Sequence, residues 1–102
     1  MMQQTDRAID KYLRTTRIDP IFNEAHYNLA LLYLQKADYS SAVEHLTDIV
    51  NREPANVRSR MKLAEVYAFQ RNLPLARQQL QQILQANPQE AQALSLLEKI
   101  GR

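Results

Sequence analysis

The architecture of this chain follows from residues 23–56, which read NEAHYNLALLYLQKADYSSAVEHLTDIVNREPAN, and residues 57–90, which read VRSRMKLAEVYAFQRNLPLARQQLQQILQANPQE. Both segments are 34 residues long, and Pro20, Pro54 and Pro88 stand at that same interval (54 − 20 and 88 − 54). A fixed interval of this size is typical of stacked repeats, in which one supersecondary unit recurs and buries its apolar face against its neighbours. The interval therefore predicts a solenoid, and it favours a binding function over a catalytic one.

Each segment contains two stretches with the spacing of an amphipathic helix. In the first segment the apolar residues form two series, Tyr27, Ala30, Leu31 and Leu34, then Tyr39, Ala42, Val43, Leu46, Ile49 and Val50. Asp38 lies between the series, where its carboxylate can cap the second helix. Pro54 closes the segment, because the residue before a proline is pushed out of helical geometry. The second segment repeats this order, with Pro74 suited to the first turn of its second helix.

The two ends of the chain carry half units, because residues 5–18 and residues near 89–100 each show one amphipathic stretch. We therefore expect six helices and no strand. The predicted domain organisation is a single domain over residues 1–102, with a half repeat at 5–18, full repeats at 23–56 and 57–90, and a half repeat at 91–102 that serves as a capping helix.

The spacing and the residue types together resemble the tetratricopeptide repeat family. The family pattern runs aromatic, two residues, Leu-Gly, two residues, Tyr, then Ala, three residues, Phe, and finally Pro. The first segment matches at His26, Leu29, Ala30, Tyr33, Ala42, Leu46 and Pro54, and the second at Arg60, Leu63, Ala64, Tyr67, Ala76, Leu80 and Pro88. His26 and Arg60 depart from the pattern, since they replace its aromatic residue. The resemblance implies an all-α superhelix (solenoid) of about six antiparallel helices, with two full repeats flanked by half repeats.

The residue inventory argues against catalysis and against a cofactor. The chain has no Cys, which excludes disulfides and thiolate metal sites. No Ser or Thr has a base at a suggestive spacing, and no glycine-rich loop is present to hold a phosphate. His26 and His45 lie in different predicted helices, and we find no carboxylate at a metal-ligand spacing from either. We therefore expect no enzyme activity, no catalytic residues, no cofactor and no metal site.

Charge and hydropathy narrow the classes of partner. The net charge of +2 is too low to predict nucleic-acid binding. No apolar run approaches the about 18 residues of a membrane span, and the first residues lack the pattern of a signal peptide. The compartment is therefore unknown, with the cytoplasm as the default expectation. A protein or a peptide is the expected partner.

The resemblance also implies where such a partner binds. Proteins of this family bind extended peptides or helices on a concave face, which the first helix of each repeat lines. Projected onto this chain, the predicted partner-binding residues are Tyr27, Asn28, Leu31, Gln35, Arg58, Met61, Lys62, Glu65, Phe69 and Leu96. We expect the apolar members to lie outside the packing stripe, where aromatic and Met side chains near Arg are typical of recognition surfaces.

A subset of these residues matches a carboxylate clamp found in some relatives. Asn28, Arg58 and Lys62 occupy positions that grip the C-terminal carboxylate of a peptide through charge-assisted hydrogen bonds. Glu65 follows Lys62 by one helical turn, and we expect it to cancel part of the Lys62 charge.

Two other functions are open on the sequence alone. The chain could be a self-assembly element, in which two copies complete each other through their half-repeat ends. It could also be an auxiliary domain of a larger enzyme whose catalytic part lies outside these residues.

Overall fold

The computed structural model describes residues 2–101, with side chains from Gln4 onward. Within these residues it contains six α-helices: α1 (Met2–Ile18), α2 (Asn23–Gln35), α3 (Tyr39–Arg52), α4 (Val57–Phe69), α5 (Leu73–Ala86) and α6 (Ala91–Ile100). The predicted all-α class and the predicted six helices are confirmed. Helix α1 begins earlier than residue 5, because Gln3 and Gln4 favour a helix and nothing there ends one.

The chain divides after Arg52 into two compact units. In the first unit α1 packs on α2, and α2 pairs with α3. The pairing surface contains Leu29, Ala30, Ala42 and Leu46, all of which are fully buried. The two alanines let the helices approach closely and the two leucines fill the space between them, as the sequence pattern predicts.

The second unit repeats this hairpin and adds a third helix. Helix α4 pairs with α5, and α6 packs against both of them. One apolar cluster joins the three helices, formed by Met61, Ala64, Leu80, Ile83, Ala93 and Leu97. Helix α6 is therefore held by apolar burial rather than by its connection to α5 alone.

Side-chain caps fix most of the helix starts. Asp38 accepts a hydrogen bond from the backbone N–H of Ser41 at 3.2 Å, which confirms it as the cap of α3. Asn56 accepts from the N–H of Ser59 at 3.0 Å at the start of α4, and Asn72 caps α5 with Pro74 in the first turn. Helix α2 differs, because Phe22 stands at its cap position and has no side-chain acceptor.

The turns inside the two hairpins share one backbone feature. Ala37 has φ of 60° and Arg71 has φ of 64°, and these residues stand 34 positions apart (71 − 37) in equivalent turns. Both therefore adopt the left-handed conformation, in which a Cβ atom is unfavourable.

No helix among residues 2–101 combines the length and the apolar character that crossing a bilayer requires.

Candidate partner-binding grooves

An open groove of about 320 Å³ lies in the second unit, between α4 and α6. Its lining consists of Met61, Glu65, Ala91, Gln92, Ser95, Leu96 and Lys99. Three of these, Met61, Glu65 and Leu96, belong to the predicted partner-binding set. Met61 and Leu96 form the apolar part of the wall. The amide of Gln92, the hydroxyl of Ser95 and the opposite charges of Glu65 and Lys99 supply polar contacts. We call this surface the α4–α6 groove.

A second groove of about 280 Å³ lies in the first unit, between α1 and α2. It is lined by Ala8, Tyr12, Asn28, Leu31, Leu32 and Gln35, and we call it the α1–α2 groove. The structure thus brings together the predicted residues Asn28, Leu31 and Gln35. Ala8, Tyr12 and Leu32 also line this groove, and none of them was among the predicted partner-binding residues.

The burial of the apolar candidates corrects one expectation. Tyr27 and Met61 are 8% and 6% exposed, so neither lies outside the packing stripe as the sequence analysis expected. Met61 packs in the apolar cluster that contains Ala93 and Leu97 of α6. Phe69, in contrast, is 69% exposed.

The remaining candidates are accessible to different degrees. Leu31, Leu96, Asn28 and Lys62 are half-buried, and Gln35, Arg58 and Glu65 are exposed. Lys62 Nζ lies 3.0 Å from a carboxylate oxygen of Glu65, which is the ion pair that their spacing predicts. This pair offsets part of the cationic charge that a carboxylate clamp would need.

The position of the family's aromatic residue holds a polar bridge in both hairpins. In the second unit, Arg60 donates from Nε to the carbonyl oxygen of Pro54 at 2.7 Å and from a terminal nitrogen to Oε1 of Gln79 at 2.8 Å. In the first unit, His26 Nε2 lies 2.7 Å from the carbonyl oxygen of Pro20. The bridge ties the proline-containing loop before each hairpin to the first helix of that hairpin.

The first-unit bridge continues into a cluster of ionisable side chains. His26 Nδ1 lies 2.9 Å from His45 Nδ1, and the His45 ring stacks on Tyr33 with centroids 5.7 Å apart. Burial lowers the pKa of His45, and the neighbouring His26 lowers it further. Burial raises the pKa of Tyr33, with the carboxylates of Asp38 and Glu44 adding to the effect.

Asp48 completes this cluster. One ligand atom each of His26, His45 and Asp48 lies within 4.8 Å of the others. The statement that no carboxylate stands at a metal-ligand spacing from either histidine was therefore wrong. Asp48 follows His45 by three residues, so both side chains project from the same face of α3.

Comparisons with known proteins agree with the helical repeat. A family model described as Tetratricopeptide repeat matches residues 33–100, and a second model with the same description matches residues 2–50. A comparison with curated protein sequences returned no match.

Several solved structures are similar to this chain. One is the first TPR of Spaghetti (RPAP3) bound to the HSP90 peptide SRMEEVD, with a TM-score of 0.84 and 20% identity over 97% of this chain and 79% of that one. A crystal structure of MamA gives a TM-score of 0.85 and 21% identity over 97% of this chain. Another crystal structure of MamA gives a TM-score of 0.77 and 20% identity over 89% of this chain. This chain spans 58% and 50% of those two MamA chains. At such identity the likeness establishes the fold.

Proposed function

The chain belongs to the tetratricopeptide repeat family, and from this we propose that it binds an extended peptide segment of another protein through the first helices of its repeats. Such repeats are generally interaction modules without catalytic machinery. The observation that carries the proposal is that two open grooves are lined by residues of first helices, α2 in one unit and α4 with α6 in the other. A third open pocket, of about 420 Å³, is lined mainly by α5 and is not part of the proposed surface.

The α4–α6 groove offers contacts that suit a peptide. Met61 and Leu96 supply an apolar wall for one side chain of the ligand, and Met adapts its shape to different side chains. Gln92 and Ser95 are exposed and can exchange hydrogen bonds with a peptide backbone. Glu65 and Lys99 carry opposite charges, so they favour a defined orientation of a dipolar ligand.

The α1–α2 groove is similar in character but carries no charged lining residue among those described. The side-chain amides of Asn28 and Gln35 can each donate and accept, which matches the alternating groups of an extended backbone. Leu31 and Tyr12 supply apolar surface beside them. We infer that this groove selects apolar or neutral side chains.

A peptide selection with matched variants tests the proposal. The purified chain is panned against a displayed peptide library, and the affinity of the selected peptide is then measured for Ser95→Arg, Gln35→Arg and Gln82→Arg. The first two place a long side chain in a groove, whereas Gln82 is exposed on α5 and serves as the control. We expect at least one groove variant to weaken binding about tenfold or more, with the control unchanged. Equal affinity for all three variants would refute the proposed surface.

The carboxylate clamp is a finer hypothesis within this proposal. The peptide SRMEEVD, which the RPAP3 structure contains, is a suitable acidic probe. If Arg58 and Lys62 grip its terminal carboxylate, the double variant Arg58→Ala, Lys62→Ala should abolish binding. Unchanged affinity in low salt would exclude the clamp. Light scattering over a concentration series, run on the same sample, separates peptide binding from self-assembly.

A further inference from the structure

We propose that His26, His45 and Asp48 form a binding site for a zinc ion in the first unit. The three side chains come from both helices of one hairpin, His26 from α2 and the other two from α3. Their ligand atoms already lie within 4.8 Å of one another. The proposal is independent of peptide binding, because these residues do not line either groove.

The hydrogen bond to Pro20 sets the tautomer of His26. A carbonyl oxygen can only accept, so the 2.7 Å contact requires a proton on Nε2 of His26. The Nδ1 atom of the neutral ring then carries the lone pair and faces His45 Nδ1 at 2.9 Å. Metal-ligating histidines commonly donate their other N–H to a carbonyl in this way, which fixes the ring and makes the ligand nitrogen more basic.

The two histidines need only a small adjustment, whereas the Asp48 oxygen, which lies within 4.8 Å of the histidine nitrogens, must approach them by up to about 1.5 Å. Tetrahedral zinc binds imidazole nitrogens at about 2.0–2.1 Å, which places two such nitrogens about 3.3 Å apart. The two Nδ1 atoms must therefore separate by about 0.4 Å from the 2.9 Å that they show. The proton that His45 shares with His26 moves to Nε2 of His45 through solvent, so both rings stay neutral and no net proton is lost.

Solvent access at His45 and Asp48 suits metal binding. His45 and Asp48 are half-buried, so an ion can reach the cluster and water can fill a fourth coordination position. A metal binds the neutral form of imidazole.

The second repeat shows that the fold does not require these residues. The positions 34 residues after His26, His45 and Asp48 hold Arg60, Gln79 and Gln82. Arg60 and Gln79 preserve the polar bridge between the helices, since they are hydrogen-bonded at 2.8 Å, yet an arginine with two glutamines is a poor metal-ligand set. The histidines and the carboxylate are therefore additional to what the hairpin needs.

The donor set favours zinc over calcium or magnesium. Two imidazole nitrogens and one carboxylate are borderline ligands that suit zinc and similar transition ions, whereas calcium and magnesium prefer six or more oxygen ligands. Binding would join α2 to α3 and stabilise the folded hairpin, because the ligands come together only in the folded state.

Titration of the whole chain tests this site. The chain is freed of metal with a chelator and titrated at about pH 7.5 with Zn²⁺ alone by calorimetry, and with Co²⁺ alone by visible absorption. We expect one ion per chain, a tetrahedral cobalt spectrum and a higher melting temperature. His45→Gln and Asp48→Asn should each weaken binding about tenfold or more. The matched control is Glu44→Gln, which removes an exposed carboxylate that is not a proposed ligand and should weaken binding far less than either ligand variant.

The variants are chosen to keep the fold. Gln already occupies the position equivalent to His45 in the second repeat, Asn has the shape of Asp, and the buried His26 is left in place. Absence of stoichiometric Zn²⁺ binding at micromolar concentrations would overturn the proposal. So would an unchanged affinity in either His45→Gln or Asp48→Asn, because the ion would then be bound elsewhere on the chain.

Discussion

Arg60 donates from Nε to the carbonyl oxygen of Pro54 at 2.7 Å. The same side chain reaches Gln79 on α5, so one residue connects the loop before the hairpin to both of its helices. His26 and Pro20 show the equivalent contact, also at 2.7 Å. Where the family places an aromatic ring, this chain therefore stabilises each hairpin with directed hydrogen bonds.

Removing the bridge should destabilise the second unit. Arg60→Met keeps the apolar stem of the side chain and removes its donors, so the carbonyl of Pro54 and the amide of Gln79 lose a charged partner. We expect the free energy of unfolding to fall by about 1–2 kcal/mol, since hydrogen bonds to charged groups are stronger than neutral ones and this one is only partly buried. Urea denaturation measures the change. Arg7→Met, at an exposed position of α1, is the control, and an equal loss in both variants would contradict the bridge.

Ser59 should be a source of instability. Its side chain is fully buried, and its Oγ has no hydrogen-bond partner among the residues that the structure describes. The positions 34 residues before and after it hold Ala25 and Ala93. Ser59→Ala should raise the free energy of unfolding by about 1–2 kcal/mol, because it removes an unsatisfied buried hydroxyl. Chemical denaturation checks this, and Ser95→Ala, at an exposed position, should change stability by less than about 0.5 kcal/mol.

Ala37 should gain from replacement by glycine. Its φ of 60° is unfavourable for a side chain with a Cβ atom, and the residue is exposed, so little packing is lost. We expect Ala37→Gly to raise the free energy of unfolding by about 0.5–1 kcal/mol, after the extra entropy of the unfolded glycine is subtracted. Ala68→Gly, inside α4, should lower it by about 1 kcal/mol. Thermal melts of both variants should thus shift in opposite directions, and a shared direction would contradict the strain at Ala37.

A cap can be added to α2. Phe22 has φ and ψ of −77° and 94°, and Asn56, which caps α4, has −75° and 94°. The backbone at residue 22 is therefore already arranged for a capping side chain. The free energy of unfolding should be about 1 kcal/mol higher for Phe22→Asn than for Phe22→Ala. Both variants lose the phenyl ring, and only Asn supplies a hydrogen-bond acceptor for the start of α2. Equal stability of the two variants would show that Asn does not cap there.

Much of the fold could be predicted because the same pattern of small and large apolar residues occurs in both full repeats. The small residues Ala30 and Ala42 and the large residues Leu29 and Leu46 are buried where the pattern placed them. Asp38 could be predicted as a cap because its residue type and its position before a helix both indicate one. The start of α1 could not, since the residues before Thr5 carry no strong signal for a boundary.

The candidate site was less predictable, since it depends on how helices lie against each other. Met61 was assigned to a free face, but its burial depends on α6, whose contacts the pattern of α4 alone does not reveal. Tyr12 was missed in the α1–α2 groove for the same reason. The nearness of Asp48 to His45 could have been predicted from the sequence, because residues three apart on a helix share a face.

Chemical-shift mapping by NMR is the decisive test of the proposed peptide-binding surface. The selected peptide is added to the isotopically labelled chain, and the amide and methyl signals that move are assigned to residues. We predict that the largest changes fall on α2, α4 and α6, among them Ser95, Lys99 and the methyl of Met61. Changes confined to α3 and α5 would contradict it, because the partner would then occupy the second helices of the repeats.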